Sequence, residues 1–256
     1  MSGSSPVIDP SAKIGKDVVI GPWSVIGPDV EIGDGTEISS HVVIKSHTRI
    51  GKNNKIFQFA SVGEDPSDKK YHGEVTWLEL GDNNIIREGA TLHRGTEVGG
   101  GVTKIGSDNL LMPYTHVAHD CIVGNHTIFS NNAAVSGHVV VEDWAILSGY
   151  AGVYQFLRIG AHSFVGGLTH INMDVPAYVV VKGNPPEAKG INITGLERRN
   201  FSREAIKAIR QGYKILYRKG LKLDEAVQEL DKLAVEHPEI HVLIHSVKAS
   251  QKGIIR

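Results

Sequence analysis

The sequence predicts a parallel β-helix followed by a helical domain, and three observations support this fold class. Aliphatic residues or Phe recur every six positions through most of the first 171 residues. Glycine often follows these residues, and a small or β-branched residue stands four positions after them. From Ser202 onward the apolar spacing becomes the three and four residues of an amphipathic helix. We therefore divide the chain into a repeat domain, 1–191, and a helical domain, 192–256.

Each hexapeptide of the repeat predicts one short strand and one turn. The large aliphatic residue and the small residue both point inward and fill a narrow prism, so three hexapeptides form one coil of about 18 residues. The period alone does not indicate the hand of the helix. The large inward positions are Ile8, Ile14, Ile20, Ile26, Ile32, Ile38, Ile44, Ile50, Ile56, Val62, Leu80, Ile86, Leu92, Ile105, Leu111, Val117, Val123, Phe129, Val135, Val141, Leu147, Val153, Ile159, Val165 and Ile171.

Two polar segments, about 64–79 and about 94–104, interrupt the repeat. A regular stack does not need such segments, and loops that leave a solenoid usually carry function. The alternative interpretation is that they are neutral insertions. We expect both segments to be ejected as loops that form part of a functional site.

The helical domain is predicted from caps and spacing. Ser202 is a candidate N-cap of a first helix, with Glu204 in its first turn and Gly220 at its end. A second helix is expected over about 223–236, and Pro238 opens a third. This domain should close one end of the solenoid, as repeat proteins require.

Composition limits the classes of function and compartment. The net charge of −1 gives no support for a nucleic-acid partner, and no apolar run predicts a membrane span. Residues 192–256 hold 13 Lys and Arg against 8 Asp and Glu, so the helical domain is basic. With one cysteine, Cys121, placed at an inward position, and no signal-peptide pattern after Met1, we expect a cytoplasmic protein.

The strongest chemical cluster consists of three histidines and one carboxylate. Asp120 and His138 hold the same repeat position one coil apart, so they should lie about one strand spacing from each other, with His116 and His119 beside them. Solvated histidines without a role are one interpretation, and a Zn²⁺ site is a second. The interpretation that we favour is general-base catalysis by an imidazole that a carboxylate orients.

Six segments are informative beyond the repeat, namely 56–64 (IFQFASVGE), 91–96 (TLHRGT), 106–112 (GSDNLLM), 117–125 (VAHDCIVGN), 195–206 (GLERRNFSREAI) and 253–256 (GIIR). They resemble the bacterial UDP-N-acetylglucosamine O-acyltransferases, a hexapeptide-repeat family, and the resemblance covers nearly the whole chain. It implies a left-handed parallel β-helix and a homotrimer with sites between subunits. It also implies an enzyme of lipid A biosynthesis that transfers a 3-hydroxyacyl chain from acyl carrier protein to UDP-N-acetylglucosamine without a cofactor, a metal or a covalent acyl-enzyme.

The resemblance also implies a role for individual residues. His119 would be the general base, Asp120 would orient it, and the backbone N–H of Gly137 would donate to the oxyanion. Gly167 matches a position that limits acyl chain length, and a glycine there predicts a chain longer than ten carbons. The residues implied to bind substrate are Asp68, Lys70, His116, His138, Gln155, Asn192, Arg198 and Arg199.

Two departures from the family pattern leave the acceptor open. Tyr154 stands where the family often has His, and Thr194 stands where it often has Glu. A 3-amino sugar nucleotide is therefore an alternative acceptor, and another hexapeptide-repeat acyltransferase is an alternative identity. A scaffold and a metal-dependent hydratase are alternatives from other classes. We further expect the acidic carrier protein to dock on basic residues of the first tail helix, namely Arg203, Lys207, Arg210, Lys214 and Arg218.

Overall fold

A computed structural model describes residues 5–256, so the first four residues of the predicted repeat domain lie outside the described part. Three sheets run along a prism with nine, eight and ten strands, and every strand pair is parallel except the last one, β26 with β27. The strands are β1 Val7–Ile8, β2 Lys13–Ile14, β3 Val19–Ile20, β4 Val25–Ile26, β5 Glu31–Ile32, β6 Glu37–Ile38, β7 Val43–Ile44, β8 Thr48–Ile50, β9 Lys55–Ile56, β10 Ser61–Glu64, β11 Trp77–Leu80, β12 Ile85–Ile86, β13 Thr91–His93, β14 Val102–Ile105, β15 Leu110–Leu111, β16 His116–Val117, β17 Ile122–Val123, β18 Ile128–Phe129, β19 Ala134–Val135, β20 Val140–Val141, β21 Ile146–Leu147, β22 Gly152–Val153, β23 Arg158–Ile159, β24 Phe164–Val165, β25 His170–Ile171, β26 Val179–Lys182 and β27 Glu187–Ile191.

Every third strand joins the same sheet, which makes the chain a continuous coil. The first sheet is β1-β4-β7-β10-β13-β16-β19-β22-β25 and the second is β2-β5-β8-β11-β14-β17-β20-β23. The third contains β3 and every third strand to β24, and then β26 and β27. The parallel β-helix that the period predicted is therefore confirmed, and the coils wind left-handed, as the resemblance implied.

Strand register shows where the two ejected loops enter. Val43 pairs with Ser61, and His116 pairs with Ala134, which are the 18-residue steps of regular coils. The step lengthens to 30 residues from Ser61 to Thr91 and to 25 residues from Thr91 to His116. The extra chain forms segments 65–76 and 94–101. Both are shorter than the predicted loops, because Glu64, residues 77–79 and residues 102–104 belong to strands.

The interior of the prism is the aliphatic ladder that the repeat predicted. Ile86, Leu92 and Phe129 are fully buried, and the small inward positions such as Ala90 are equally closed to solvent. Cys121 is one of these inward residues, and burial raises its thiol pKa to about 12. A thiol that stays protonated inside the core is a packing residue and a poor nucleophile.

The tail contains four helices, α1 Ile193–Arg198, α2 Arg203–Arg218, α3 Leu223–Ala234 and α4 Ile240–Lys248. Ser202 caps α2 by accepting the Ala205 N–H, as the sequence predicted, whereas the short α1 was not predicted. The Tyr178 hydroxyl donates to the Glu239 carbonyl, and the Ala177 N–H donates to the Ser246 hydroxyl, so the last coils are bonded to the tail. The helices therefore cover the last coils. Among residues 5–256, no helix is long and apolar enough to cross a membrane.

Candidate active site

The first corner, which we define as the turns leading from the first sheet to the second, displays the histidine and aspartate cluster. Asp120 follows β16 and His138 follows β19, so the regular coil places them one above the other. Both have a left-handed backbone, with φ of 60° and 62°. Phe156 follows β22 at the same position, and its ring stacks on His138 at 4.4 Å. The corner thus presents a column of side chains at a fixed spacing.

His119 and Asp120 form a hydrogen-bonded pair. The Nδ1 atom of His119 lies 2.8 Å from Oδ2 of Asp120, and the Asp120 side chain is closed to solvent. The Nε2 atom of His138 lies 3.7 Å from the same carboxylate oxygen. Burial lowers the pKa of His138, and the Asp120 charge partly opposes that effect. An imidazole whose Nδ1 faces a buried carboxylate leaves its Nε2 available to take a proton.

Gly137 allows the His119 ring to lie against the backbone of the next coil. A Cβ atom at Gly137 would stand 2.5 Å from Cε1 of His119, so a larger residue would displace the ring. The N–H of Gly137 has no acceptor among residues 5–256. The repeat itself leaves this N–H free, since Pro22 and Pro113 occupy equivalent turn positions. A free N–H beside a histidine is the arrangement that an oxyanion donor requires.

The two ejected loops meet the first corner and enclose a cleft of about 450 Å³. Asp68 and Lys70 come from the first loop, and the backbone N–H of Lys70 lowers the pKa of the Asp68 carboxyl. Five residues that the sequence predicted for the site line this cleft together. They are Asp68, Lys70, His119, His138 and Gln155, and they are joined by Glu74, Thr96, Glu97, Val98 and Phe156, which sequence reasoning missed.

Thr96 is the most informative of the missed residues. Its backbone N–H donates to Oδ1 of Asp120, and its hydroxyl donates to Oδ2, both at 2.7 Å. It lies in the second loop, outside the repeat, so no periodicity connects it with a residue 24 positions later. The available signals were its place in a polar segment that breaks the register and in segment 91–96, which resembles the family.

His116 lies beside the pair on the outer surface of the first sheet and does not line the cleft. Its Nδ1 is 2.7 Å from the hydroxyl of Thr91, and its ring meets His93 edge-on at 4.8 Å. Burial, together with smaller contributions from His93 and His119, lowers the pKa of His116 to about 4. His116 is therefore neutral at physiological pH and can act as a hydrogen-bonding group.

Asn192, Arg198, Arg199 and Gly167 lie away from the cleft. Asn192 caps α1, accepting the Gly195 N–H and donating to the His162 carbonyl. Arg199 donates to the Trp144 carbonyl at 2.9 Å and reaches the His162 ring at 3.2 Å, whereas Arg198 is exposed. These contacts belong to the second corner, the turns from the second sheet to the third. Gly167 is exposed as well.

His119, Asp120 and His138 are also the residues that could hold a metal ion. One ligand atom from each lies within 4.8 Å of the others, the one such group found among residues 5–256. The Asp120 carboxylate, however, already accepts three hydrogen bonds, from Thr96 twice and from His119. A metal would have to displace donors that are buried with it, so the arrangement suits an oriented base better.

Comparisons with known proteins match both the repeat and the helical tail. A family model described as UDP-N-acetylglucosamine O-acyltransferase, domain 2, matches residues 174–255, and the bacterial transferase hexapeptide model matches 11–46 and 102–137. An acyl-[acyl-carrier-protein]–UDP-N-acetylglucosamine O-acyltransferase of Ectopseudomonas mendocina is 56% identical over 258 residues, covering 100% of both chains. A protein of the same name from Pseudomonas aeruginosa is 54% identical and covers 98% of this chain and 97% of its own.

Solved structures match over the same length. The LpxA structure from Acinetobacter baumannii superposes with a TM-score of 0.97 at 51% identity, covering 99% of this chain and 98% of that one. The UDP-N-acetylglucosamine acyltransferase of Arabidopsis has a TM-score of 0.86 at 32% identity, covering 98% and 99%. Identity at this level over both domains shows that the chain belongs to the family of acyl-[acyl-carrier-protein]–UDP-N-acetylglucosamine O-acyltransferases.

Proposed function

We propose that this chain transfers a 3-hydroxyacyl group from acyl carrier protein to the 3-hydroxyl of UDP-N-acetylglucosamine, the first step of lipid A biosynthesis. The observation that carries the proposal is the His119–Asp120 pair, which opens on a cleft that two loops complete. The relatives named for this reaction support the choice of donor and acceptor. The enzyme would act in the cytoplasm, where both substrates are expected.

The reaction proceeds by direct transfer. Nε2 of His119 removes the proton of the sugar 3-hydroxyl while that oxygen attacks the thioester carbonyl. The N–H of Gly137 donates to the oxyanion of the tetrahedral intermediate. The intermediate collapses, the C–S bond breaks, and the imidazolium returns its proton to the leaving thiolate. Asp120 stabilises the imidazolium throughout, and no acyl group becomes attached to the protein.

The other site residues bind the substrates. Asp68 and Lys70 line the cleft together with His119 and contact the glucosamine, while His138 and Gln155 complete the lining. His116, held neutral, supports the wall beside them. Gly167 leaves room for a long acyl chain, so we expect a donor longer than ten carbons. The carrier protein docks on the basic face of α2.

Acyl transfer from a panel of 3-hydroxyacyl carrier proteins tests this function. With UDP-N-acetylglucosamine as acceptor, we expect ester formation, a preference for long donors, and a loss of kcat/KM of at least about 100-fold in His119→Ala. His41→Ala, at an exposed histidine of another corner, is the matched control and should keep full activity. The 3-amino sugar nucleotide is assayed in parallel. Formation of the amide alone would show that the acceptor is the 3-amino sugar nucleotide. A protein that acylates neither sugar nucleotide would contradict the proposal.

The site is completed by a second subunit in a homotrimer. Asn192, Arg198 and Arg199 do not line the cleft of their own chain, yet they are implied to hold substrate, so we infer that they face the cleft of a neighbour. Mixing inactive His119→Ala and Arg199→Ala proteins should restore part of the activity, because some clefts then receive both intact residues. Trimers that mix without any recovery would show that each chain has a self-contained site.

A further inference from the structure

The second ejected loop, segment 94–101, folds back on the carboxylate that orients His119. Thr96 gives Asp120 both its N–H and its hydroxyl, each at 2.7 Å. One strand further on, the hydroxyl of Thr103 accepts the backbone N–H of Asp120 at 2.7 Å. Gly99 lies against the same group, and a Cβ added there would overlap the Asp120 carboxylate. The loop therefore surrounds Asp120 and excludes water from it.

The direction of the Thr96 hydroxyl follows from its neighbours. Its oxygen already accepts the N–H of Gly99 at 3.1 Å, so its single proton is free to point at Oδ2 of Asp120. A hydroxyl has one donor and two acceptor positions, and this arrangement uses the donor on the carboxylate. Asp120 thus receives three donors in all, one on Oδ1 and two on Oδ2, and accepts as an ionised carboxylate.

Three donors leave Asp120 a single geometry with respect to His119. The Oδ2 atom is shared between the Thr96 hydroxyl and Nδ1 of His119, so the carboxylate cannot rotate without breaking one of these bonds. Because Asp120 stays an acceptor, Nδ1 of His119 carries the proton. The unprotonated nitrogen is then Nε2, the atom that must face the sugar hydroxyl.

We propose that Thr96 is a positioning residue, whose hydroxyl holds Asp120 in the orientation that keeps His119 in its Nδ1-protonated tautomer. This inference rests on the proposed general base and deepens it. The loop that breaks the repeat thereby acts on the catalytic pair from outside the coil that carries the pair. Thr96 also lines the cleft, although only 5% of its surface is exposed.

Two substitutions separate the hydroxyl from the bulk of the side chain. Thr96→Val keeps the shape and removes the donor, whereas Thr96→Ser keeps the donor and removes the methyl group. Thr127→Val is the matched control, because Thr127 is an equally buried threonine that donates its hydroxyl to Oδ1 of Asn109, away from the cleft. Thr96→Ala also removes the hydroxyl donor but leaves a smaller side chain, and it replaces Thr96→Val in the test if that variant does not fold.

The first readout is kinetic. We expect kcat to fall roughly 10- to 100-fold in Thr96→Val, a part of what a positioned general base contributes, with each KM changed less than about twofold. Thr96→Ser should retain most of the activity, and Thr127→Val all of it. A serine variant as slow as the valine variant, or a valine variant with the original kcat, would overturn the proposal.

The second readout does not depend on activity. In full-length protein labelled with ¹⁵N-histidine, the His119 signals, assigned by their loss in His119→Ala, report which ring nitrogen carries the proton. We expect the Nδ1-protonated form alone in the original and serine proteins and a mixture of tautomers in the valine protein. A slow valine variant with an unchanged tautomer would mean that Thr96 acts in another way. If the original protein transfers no acyl group but shows this tautomer dependence, only the proposed function fails.

Discussion

At the scale of single residues, burial keeps two histidines neutral. His116 and His162 both have pKa values lowered to about 4, first by burial and then by neighbouring positive groups. Neither is paired with a carboxylate by a hydrogen bond. His119, by contrast, contacts the buried Asp120 directly. Histidines that are alike in the sequence therefore differ in chemistry, because their carboxylate partners and their exposure differ.

The lowered pKa of His116 predicts a dependence of stability on pH. The unfolded chain binds a proton at this residue below about pH 6.5, whereas the folded chain resists protonation down to about pH 4. The stabilisation that neutral His116 contributes is present above about pH 6.5 and is lost as the pH falls from about 6.5 to about 4. Between about pH 7 and about pH 5 it amounts to about 2 kcal/mol of unfolding free energy.

Urea unfolding at both pH values measures this effect. His116→Gln removes the titrating group, so its stability should fall less on acidification than that of the original protein. His170→Gln, at an exposed position of the same sheet, should behave as the original does. Equal losses in all three proteins would contradict the assignment to His116.

At the scale of elements, Arg94 connects the two ejected loops. Its guanidinium is buried, with 4% of the side chain exposed, and donates to the carbonyls of Ser46 and Gly63. It also binds the Asp65 carboxylate and the Tyr71 hydroxyl, which belong to the first loop. The first loop carries Asp68 and Lys70 into the cleft. The position of these residues therefore depends on an arginine of the second loop.

Arg94→Lys should loosen the first loop, because an ammonium cannot reproduce the planar fork of donors. We expect KM for the sugar nucleotide to rise about tenfold, equivalent to about 1.4 kcal/mol of binding. Trypsin should also cleave faster after Lys69 and Lys70 in the free enzyme. Arg87→Lys, at a half-buried arginine that pairs with Glu88, is the control. An unchanged KM with unchanged cleavage would show that Arg94 does not hold the loop.

The basic face of α2 is the element proposed to meet the carrier protein. All five of its predicted basic residues are exposed, and their spacing of three or four residues puts them along one side of the helix. Replacing Arg203, Lys207 and Arg210 with Glu should raise KM for acyl carrier protein about tenfold at low salt, and the effect should shrink as salt increases.

The control for this test reverses Lys13, Lys16 and Lys52, which are equally exposed but lie on the first coils. It changes the net charge by the same amount and should leave KM for the carrier unchanged. An equal rise in KM in both proteins would mean that overall charge, and not α2, attracts the carrier.

At the scale of the whole molecule, the solenoid is a one-dimensional stack whose burial increases along the chain. Ile8 and Ile14 in the first coil are 41% and 38% exposed, whereas Ile86 and Leu92 are fully buried. Each coil contacts only its neighbours, so stability is distributed along the stack. The first coils should open most readily, and the coils around the cleft should open last.

Alanine substitutions compare the two regions. Ile86→Ala should cost about 2–5 kcal/mol of unfolding free energy, since it leaves a cavity in a closed core. Ile14→Ala should cost about 1 kcal/mol, because much of that side chain already meets water. Chemical denaturation measures both, and hydrogen exchange shows where opening begins. Equal costs would contradict the gradient of burial.

The hexapeptide period by itself determined the ladder of inward residues, the coil and the approximate position of both loops. Periodicity reports which residues share a face, because neighbours in a regular stack lie a constant number of positions apart. That rule correctly brought Asp120 near His138. The caps of the tail follow local rules as well, as Ser202 shows.

Only the tertiary structure decided what the loops do. The hydrogen bonds from Thr96 to Asp120 and from Arg94 to Tyr71 join residues 24 and 23 positions apart that follow no repeat, and loop closure leaves no periodic trace in a sequence. The same holds for Asn192 and Arg199, which the fold places on the second corner and away from their own cleft. Local sequence patterns define the scaffold here, whereas the cleft depends on how the two irregular loops pack against that scaffold.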